Sequence, residues 1–186
     1  MALMMKICLI GDGAVGKTSL RRVFIGQHFL KDYLMTVGAD FAIKEISIPS
    51  EYDKDVDFKF QIWDLAGQPR FEEVRPKYYQ GVKGAILVFD VTRKDSLENL
   101  AKWIAEIDEA VGHSELPYVI IGNKTDIRRK SKSHVSTAQA KRYIEKTYNC
   151  EYLETSAKTG KNVTKAFELM GNELIKTFSK EFIEKL

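Results

Sequence analysis

Cysteine is scarce in this 186-residue chain, which carries two, Cys8 and Cys150. Both sit in or beside apolar runs, so they read as reduced core residues of a cytosolic protein, not as a disulfide or a metal site. Histidine is nearly as rare: His28, His113 and His134 stand apart, without metal-ligand spacing. There is no internal repeat and no low-complexity segment. Charge of one sign is also lacking. The 29 basic and 26 acidic residues leave a net +3, spread along the sequence. That surplus is too small to argue for nucleic acid, and no nucleic-acid partner is expected. No apolar run approaches the roughly 20 residues of a transmembrane segment. The first five residues are too short for a signal peptide and have no cleavage site. Lys180-Glu181-Phe182-Ile183-Glu184-Lys185-Leu186 has no cysteine, so no lipid anchor is expected in this chain.

What is present is an ordinary globular mix, 44% hydrophobic and 30% charged. The length suffices for a full core, and one domain over 1–186 is expected. Its last stretch, 179–186, either continues the final helix or forms an extension.

The organising stretch is Gly11-Asp12-Gly13-Ala14-Val15-Gly16-Lys17-Thr18. It follows the apolar run Ile7-Cys8-Leu9-Ile10, read as a buried strand, and precedes a segment that can be helical. Strand, glycine loop and helix are the context in which G-x-x-x-x-G-K-[ST] becomes a phosphate site. Gly11 and Gly16 permit backbone angles that a side chain would forbid. The loop can then turn its N–H groups toward a polyanion, with the helix N-terminus behind it. Lys17 supplies a point charge between the outer phosphates, and Thr18 a hydroxyl for Mg²⁺.

Further along, residues 27–37 show no clear period and read as a loop. Phe41 to Ile48 reads as a strand, and Phe58, Phe60 and Ile62 alternate with polar residues in another. The polar turn at 49–55 makes these two antiparallel. Ala85 to Asp90 and Tyr118 to Gly122 have buried-strand character, and Glu151 to Glu154 is a short strand. Helices alternate with them. Asp95 with Glu98 and Ser136 with Gln139 each suggest a capping box. Val163 to Phe178 carries the period of a last helix. The expectation is an α/β fold with a mostly parallel six-stranded sheet, one antiparallel edge strand, and helices on both faces. The polar oddities at 11–18, 64–68, 123–126 and 155–158 all follow strands, so they gather along one edge of the sheet.

Asn123-Lys124-Thr125-Asp126 selects among nucleotides. A carboxylate at Asp126 can accept two hydrogens from guanine, its ring N–H and its exocyclic amine. Adenine has no such donor pair, and a site built for those donors rejects an analogue that leaves its own groups unpaired.

With these segments the chain resembles the Ras superfamily of small GTPases over about Met5 to Phe178, as G-D-G-A-V-G-K-T, Thr36, D-L-A-G-Q, N-K-T-D and T-S-A-K. Thr36-Val37-Gly38-Ala39-Asp40-Phe41 and Trp63-Asp64-Leu65-Ala66-Gly67-Gln68 are most similar to the Rab branch. The resemblance implies a P-loop G domain that binds GTP and GDP with Mg²⁺ and hydrolyses GTP. Lys17 would meet the β- and γ-phosphates. Thr18 and Thr36 would ligate Mg²⁺, and Asp64 would hold it through a water. Gly67 N–H would sense the γ-phosphate, and Gln68 would orient the attacking water. The catalytic set is then Gln68, Lys17 and Thr36. Phe29 would pack against guanine, Asn123 would buttress the loops, and the Lys124 stem would cover the base. Ser156, Ala157 and Lys158 would finish the guanine pocket, mainly through the Ala157 N–H. Gly13, Ala14, Val15, Gly16, Ser19 and Tyr33 complete the implied nucleotide-binding set.

As partners, the resemblance implies an exchange factor, a GTPase-activating protein and effectors, the last meeting Phe41, Trp63 and Tyr78. The plain alternative for those aromatics is core packing. A Rab-like chain is expected in the cytoplasm, peripheral to membranes, in membrane traffic. Residues 31–35 offer no arginine finger, so intrinsic turnover should be slow. Three features depart from the Rab pattern: Pro69 after Gln68, Leu65 for the usual threonine, and the cysteine-free end. The basic run 128–132 reads as a solvated turn. A GTP-binding scaffold with negligible hydrolysis is the competing reading. A P-loop ATPase or small-molecule kinase is another, against which the N-K-T-D stretch argues.

Overall fold

The computed structural model describes residues 2–30, 35–49, 55–112, 116–128, 134–148 and 150–183. Tyr33, most of the turn at 49–55, His113, the basic run from 129 and the side chains beyond residue 178 lie outside the described parts.

Among the described residues six strands form one sheet: β1 (Leu3–Ile10), β2 (Ala39–Ile48), β3 (Val56–Leu65), β4 (Gly84–Asp90), β5 (Tyr118–Asn123) and β6 (Glu151–Glu154). Their order is β2-β3-β1-β4-β5-β6, and β2 alone runs antiparallel, to β3, as expected. The helices are α1 (Lys17–Phe24), α2 (Pro76–Tyr79), α3 (Lys94–Glu98), α4 (Leu100–Val111), α5 (Thr137–Thr147) and α6 (Val163–Ile183). Because side chains alternate across a strand, β4 feeds two cores. Ile86 and Val88 join Leu20 and Phe24 of α1 and Phe167, Met170 and Leu174 of α6. Ala85, Leu87 and Phe89 join Leu100, Trp103 and Ile107 of α4 and Ala140 and Ile144 of α5. The central strands are apolar on both faces because helices cover both. Phe24 and Phe167 stack at 3.7 Å between ring centroids and pin α1 to α6. Cys8 is buried and Cys150 half-buried, both free thiols.

The two capping boxes fare differently. Ser136 accepts from the Gln139 backbone N–H and the Gln139 side chain accepts from the Ser136 N–H, as expected. Asp95 and Glu98 form no box; the N-cap of α3 is Arg93, without a side-chain cap. Both carboxylates have nearer cations: Arg93 Nη2 lies 3.1 Å from Asp95, and Lys94 lies 2.9 Å from Glu98. The single helix expected from Asp95 onward is also two, divided at Asn99, whose side chain is drawn away to Asp12.

Candidate nucleotide site

The loop between β1 and α1 needs its glycines. Gly11 has φ +139°, and a Cβ there would overlap the Val88 carbonyl oxygen. Gly16 has φ +103°, and a Cβ would overlap Asn123 Nδ2. Gly67 lies close against the backbone of Gly11 and Asp12. So the segments after β1, β3 and β5 approach one another at a distance only glycine allows.

They enclose a cavity of about 430 Å³. Gly13, Ala14, Gly16, Lys17, Thr18 and Ser19 line it from the glycine loop. Phe29, Thr36, Gly67 and Gln68 line it from the connections on either side of β2 and β3, and Asn123, Lys124, Asp126, Ala157 and Lys158 from the far loops. Three described candidates stand apart from the lining: Val15 is wholly buried in the core, and Ser156 and Asp64 are buried. Tyr33 lies outside the described residues. Arg22, Leu30, Leu65 and Ile127 also line the cavity, although sequence reasoning gave them no part in the site. For Arg22 a signal existed: it lies three residues after Ser19 on α1, on the same helical face.

At one end, charged and hydroxyl groups converge. Lys17 is buried and donates to the carbonyls of Gly11 at 2.6 Å and Asp12 at 2.7 Å. Burial pulls its pKa down to about 8, although Asp64 and Asp12 oppose the shift. Thr18 Oγ1 donates to Asp64 Oδ2 at 2.5 Å and lies 2.8 Å from Thr36 Oγ1. Thr36 Oγ1 is 3.5 Å from the same carboxylate oxygen. Asp64 Oδ1 is buried with no hydrogen-bond partner, and burial raises its pKa despite the Thr18 bond. Two hydroxyls and a desolvated carboxylate make an all-oxygen donor set that suits a small hard cation. Among the described residues, no group of three or more His, Cys, Asp or Glu is placed to hold a metal.

The other end is braced by protein alone. Asn123 donates through Nδ2 to Val15 O at 3.0 Å. Its Oδ1 accepts from Thr155 Oγ1 at 3.0 Å and from Ala157 N–H at 3.2 Å. The Ala157 N–H, implied as a base contact, is thus engaged by Asn123 here. Ser156 Oγ donates to Asp126 Oδ1 at 2.6 Å, and Lys158 Nζ lies 4.0 Å from Asp126 Oδ2. Lys124, left-handed at φ +70°, pairs with the buried Asp90 at 2.7 Å.

Outside the cavity, Phe41, Trp63 and Tyr78 form a surface ladder with ring centroids 5.2 and 5.8 Å apart. Phe41 is 54% exposed, which core packing does not account for. Leu65 is fully buried. Gln68 is extended at φ −81°, ψ 146°, the region that Pro69 favours in its predecessor.

A strand–glycine loop–helix unit facing an N-K-x-D loop across one cavity defines a P-loop domain of the guanine-nucleotide class. Residues 6–176 match the Ras family, and the chain belongs to it, as a GTPase of the Rab branch. It is 37% identical over 181 residues to "Ras-related protein RABG3f" of Arabidopsis thaliana, covering 96% of this chain and 85% of that one. It is 36% identical over 181 residues to "Ras-related protein Rab7" of Pisum sativum, with the same coverage. It is 38% identical over 172 residues to "Ras-related protein Rab-5A" of Dictyostelium discoideum, covering 92% and 81%.

Proposed function

We propose that this GTPase is a switch that binds GTP and GDP with Mg²⁺, hydrolyses GTP slowly, and presents ordered loops to partners only with the triphosphate. The observation that carries the reading is the convergence of Thr18, Thr36 and Asp64 at one end of a cavity whose other end holds Asp126 braced by Ser156. Lys17 exchanges its carbonyl acceptors for phosphate oxygens, and the glycine loop with Ser19 cradles the remaining ones. Thr18 and Thr36 would ligate Mg²⁺ and Asp64 would help to hold it; when bound, the ion would neutralise charge on the phosphoryl oxygens. Gly67 N–H contacts the γ-phosphate, and Gln68 orients the attacking water. Asp126 accepts the guanine donors, with Phe29 and the Lys124 stem on the ring faces.

Thr36 and Gly67 belong to different loops but share the γ-phosphate end. Loss of that group releases both, and partners read the difference. The Phe41–Trp63–Tyr78 ladder, exposed at Phe41 and half-buried at Trp63 and Tyr78, lies between those loops and suits an effector. Exchange factors and GTPase-activating proteins act on the same loops. Among the described residues, no helix is long and apolar enough to cross a membrane. A Rab-branch switch in membrane traffic works at the membrane surface from the cytoplasm.

Phosphate release under single turnover, with and without Gln68→Leu, tests the proposal. The expected intrinsic rate is about 10⁻⁴ to 10⁻² s⁻¹, lowered by the substitution. A rate above about 1 s⁻¹ without a partner contradicts slow switching. No release from either chain makes the protein a nucleotide-binding scaffold.

A further inference from the structure

Arg75 is 4% exposed and lies at the end of the segment that follows Gln68, just before α2. Each of its three guanidinium nitrogens donates a hydrogen bond. Nε donates to Glu106 Oε1 at 2.7 Å and Nη2 to Glu106 Oε2 at 2.5 Å, a two-pronged pair. Nη1 reaches the other way, to Gln68 O at 3.1 Å and Ala66 O at 3.3 Å. The guanidinium also lies over the Trp103 ring at 4.5 Å. Tyr79 OH donates to Glu106 Oε1 at 2.6 Å and steadies the carboxylate.

The helix that carries Trp103 and Glu106, α4, also holds the glycine loop. Trp103 Nε1 donates to Asp12 Oδ1 and Asn99 Nδ2 to Asp12 Oδ2, both at 2.8 Å. Asn99, Trp103 and Glu106 are spaced four and three residues apart, so they form one stripe along α4 and its cap. One stripe therefore fixes both walls beside the candidate γ-phosphate end: Asp12 immediately before Gly13, and the carbonyls flanking Gly67.

We propose that Arg75 is a positioning residue for hydrolysis. Anchored on Glu106, it holds the Ala66 and Gln68 carbonyls, and so sets the Gln68 side chain, whose Cγ would lie 3.6 Å from a Cβ placed on Gly13. A lysine cannot replace it, because one ammonium cannot make the forked carboxylate pair and reach two carbonyls in a fixed plane. The inference rests on the reading that Gln68 orients the attacking water.

The test is single-turnover GTP hydrolysis by Arg75→Lys and Glu106→Gln, each with Gln68 intact and in a Gln68→Leu background. GDP dissociation is measured alongside. With Gln68 present, each substitution is expected to slow hydrolysis about 10-fold, with GDP dissociation changed less than about 2-fold. Once Gln68 is leucine, each should change the residual rate less than about 2-fold, since the effect passes through that side chain. Equal slowing in both backgrounds overturns the proposal, as does no slowing with Gln68 present. GDP release accelerated in step with lost hydrolysis also overturns it, because that marks general loosening. If Gln68→Leu alone leaves hydrolysis unchanged, the underlying reading fails and takes this inference with it.

Discussion

The two ends of the cavity are built in opposite ways. At the Asp126 end, protein satisfies protein: Asn123 makes three hydrogen bonds, Ser156 holds Asp126, and Asp90 holds Lys124. At the Lys17 end, a buried ammonium leans on two backbone carbonyls, and Asp64 keeps a buried oxygen without a partner. A self-satisfied network stays rigid and can discriminate between ligands. A set of desolvated charges gains most from an incoming ligand of complementary charge, and its geometry depends on that ligand. The proposed function therefore assigns base selection to the rigid end and switching to the charged end.

Substitutions at each end separate the two roles. Lys17→Met should weaken GDP and GTP binding together by about 10³-fold or more, measured by calorimetry, because it leaves the phosphates without their buried cation. Asp126→Ala should reduce the preference for GDP over ADP by about 10²-fold or more in competition titrations. A similar loss of base preference in Lys17→Met would break the division between the ends. Thr36→Ala should weaken GTP in Mg²⁺ by about 10-fold while changing GDP less than about 3-fold. Equal effects on the two nucleotides would show that Thr36 does not sense the γ-phosphate.

Lys17 also gives a pH signature. Its pKa of about 8, against an ordinary 10.5, means that the folded chain releases this proton before the unfolded chain does. Its contribution to stability therefore rises with pH between those values. In urea unfolding of the nucleotide-free protein, stability relative to Lys17→Met should grow by about 1 kcal/mol from pH 8 to 9. A flat difference would mean that Lys17 is well solvated. The smallest effect is expected at Pro69. Pro69→Glu frees the ψ of Gln68 and should alter intrinsic hydrolysis by about 3-fold. Unchanged intrinsic and partner-stimulated rates would show that the proline does not bias Gln68.

Much of this was legible in the sequence where the signal is contiguous. The glycine loop and the N-K-T-D stretch carry their chemistry in a few adjacent residues, and alternation after Val56 marked β3. The Ser136–Gln139 box was legible because both partners lie within one turn. The Asp95–Glu98 pattern misled because Arg93 and Lys94 compete for the same carboxylates at shorter reach. Arg75 was not legible as a site residue. Its carboxylate partner is 31 residues away, and Trp103 meets Asp12 across 91. No local period encodes such pairs; only the packing of α4 against the sheet brings them together.

The account turns on a cavity that takes a purine diphosphate and recognises its base through Asp126. Competition between GDP and ADP in Mg²⁺, read as two dissociation constants on the purified chain, tests this most directly. The account predicts GDP tighter by at least about 100-fold. Equal affinities, or binding of neither nucleotide, would contradict it.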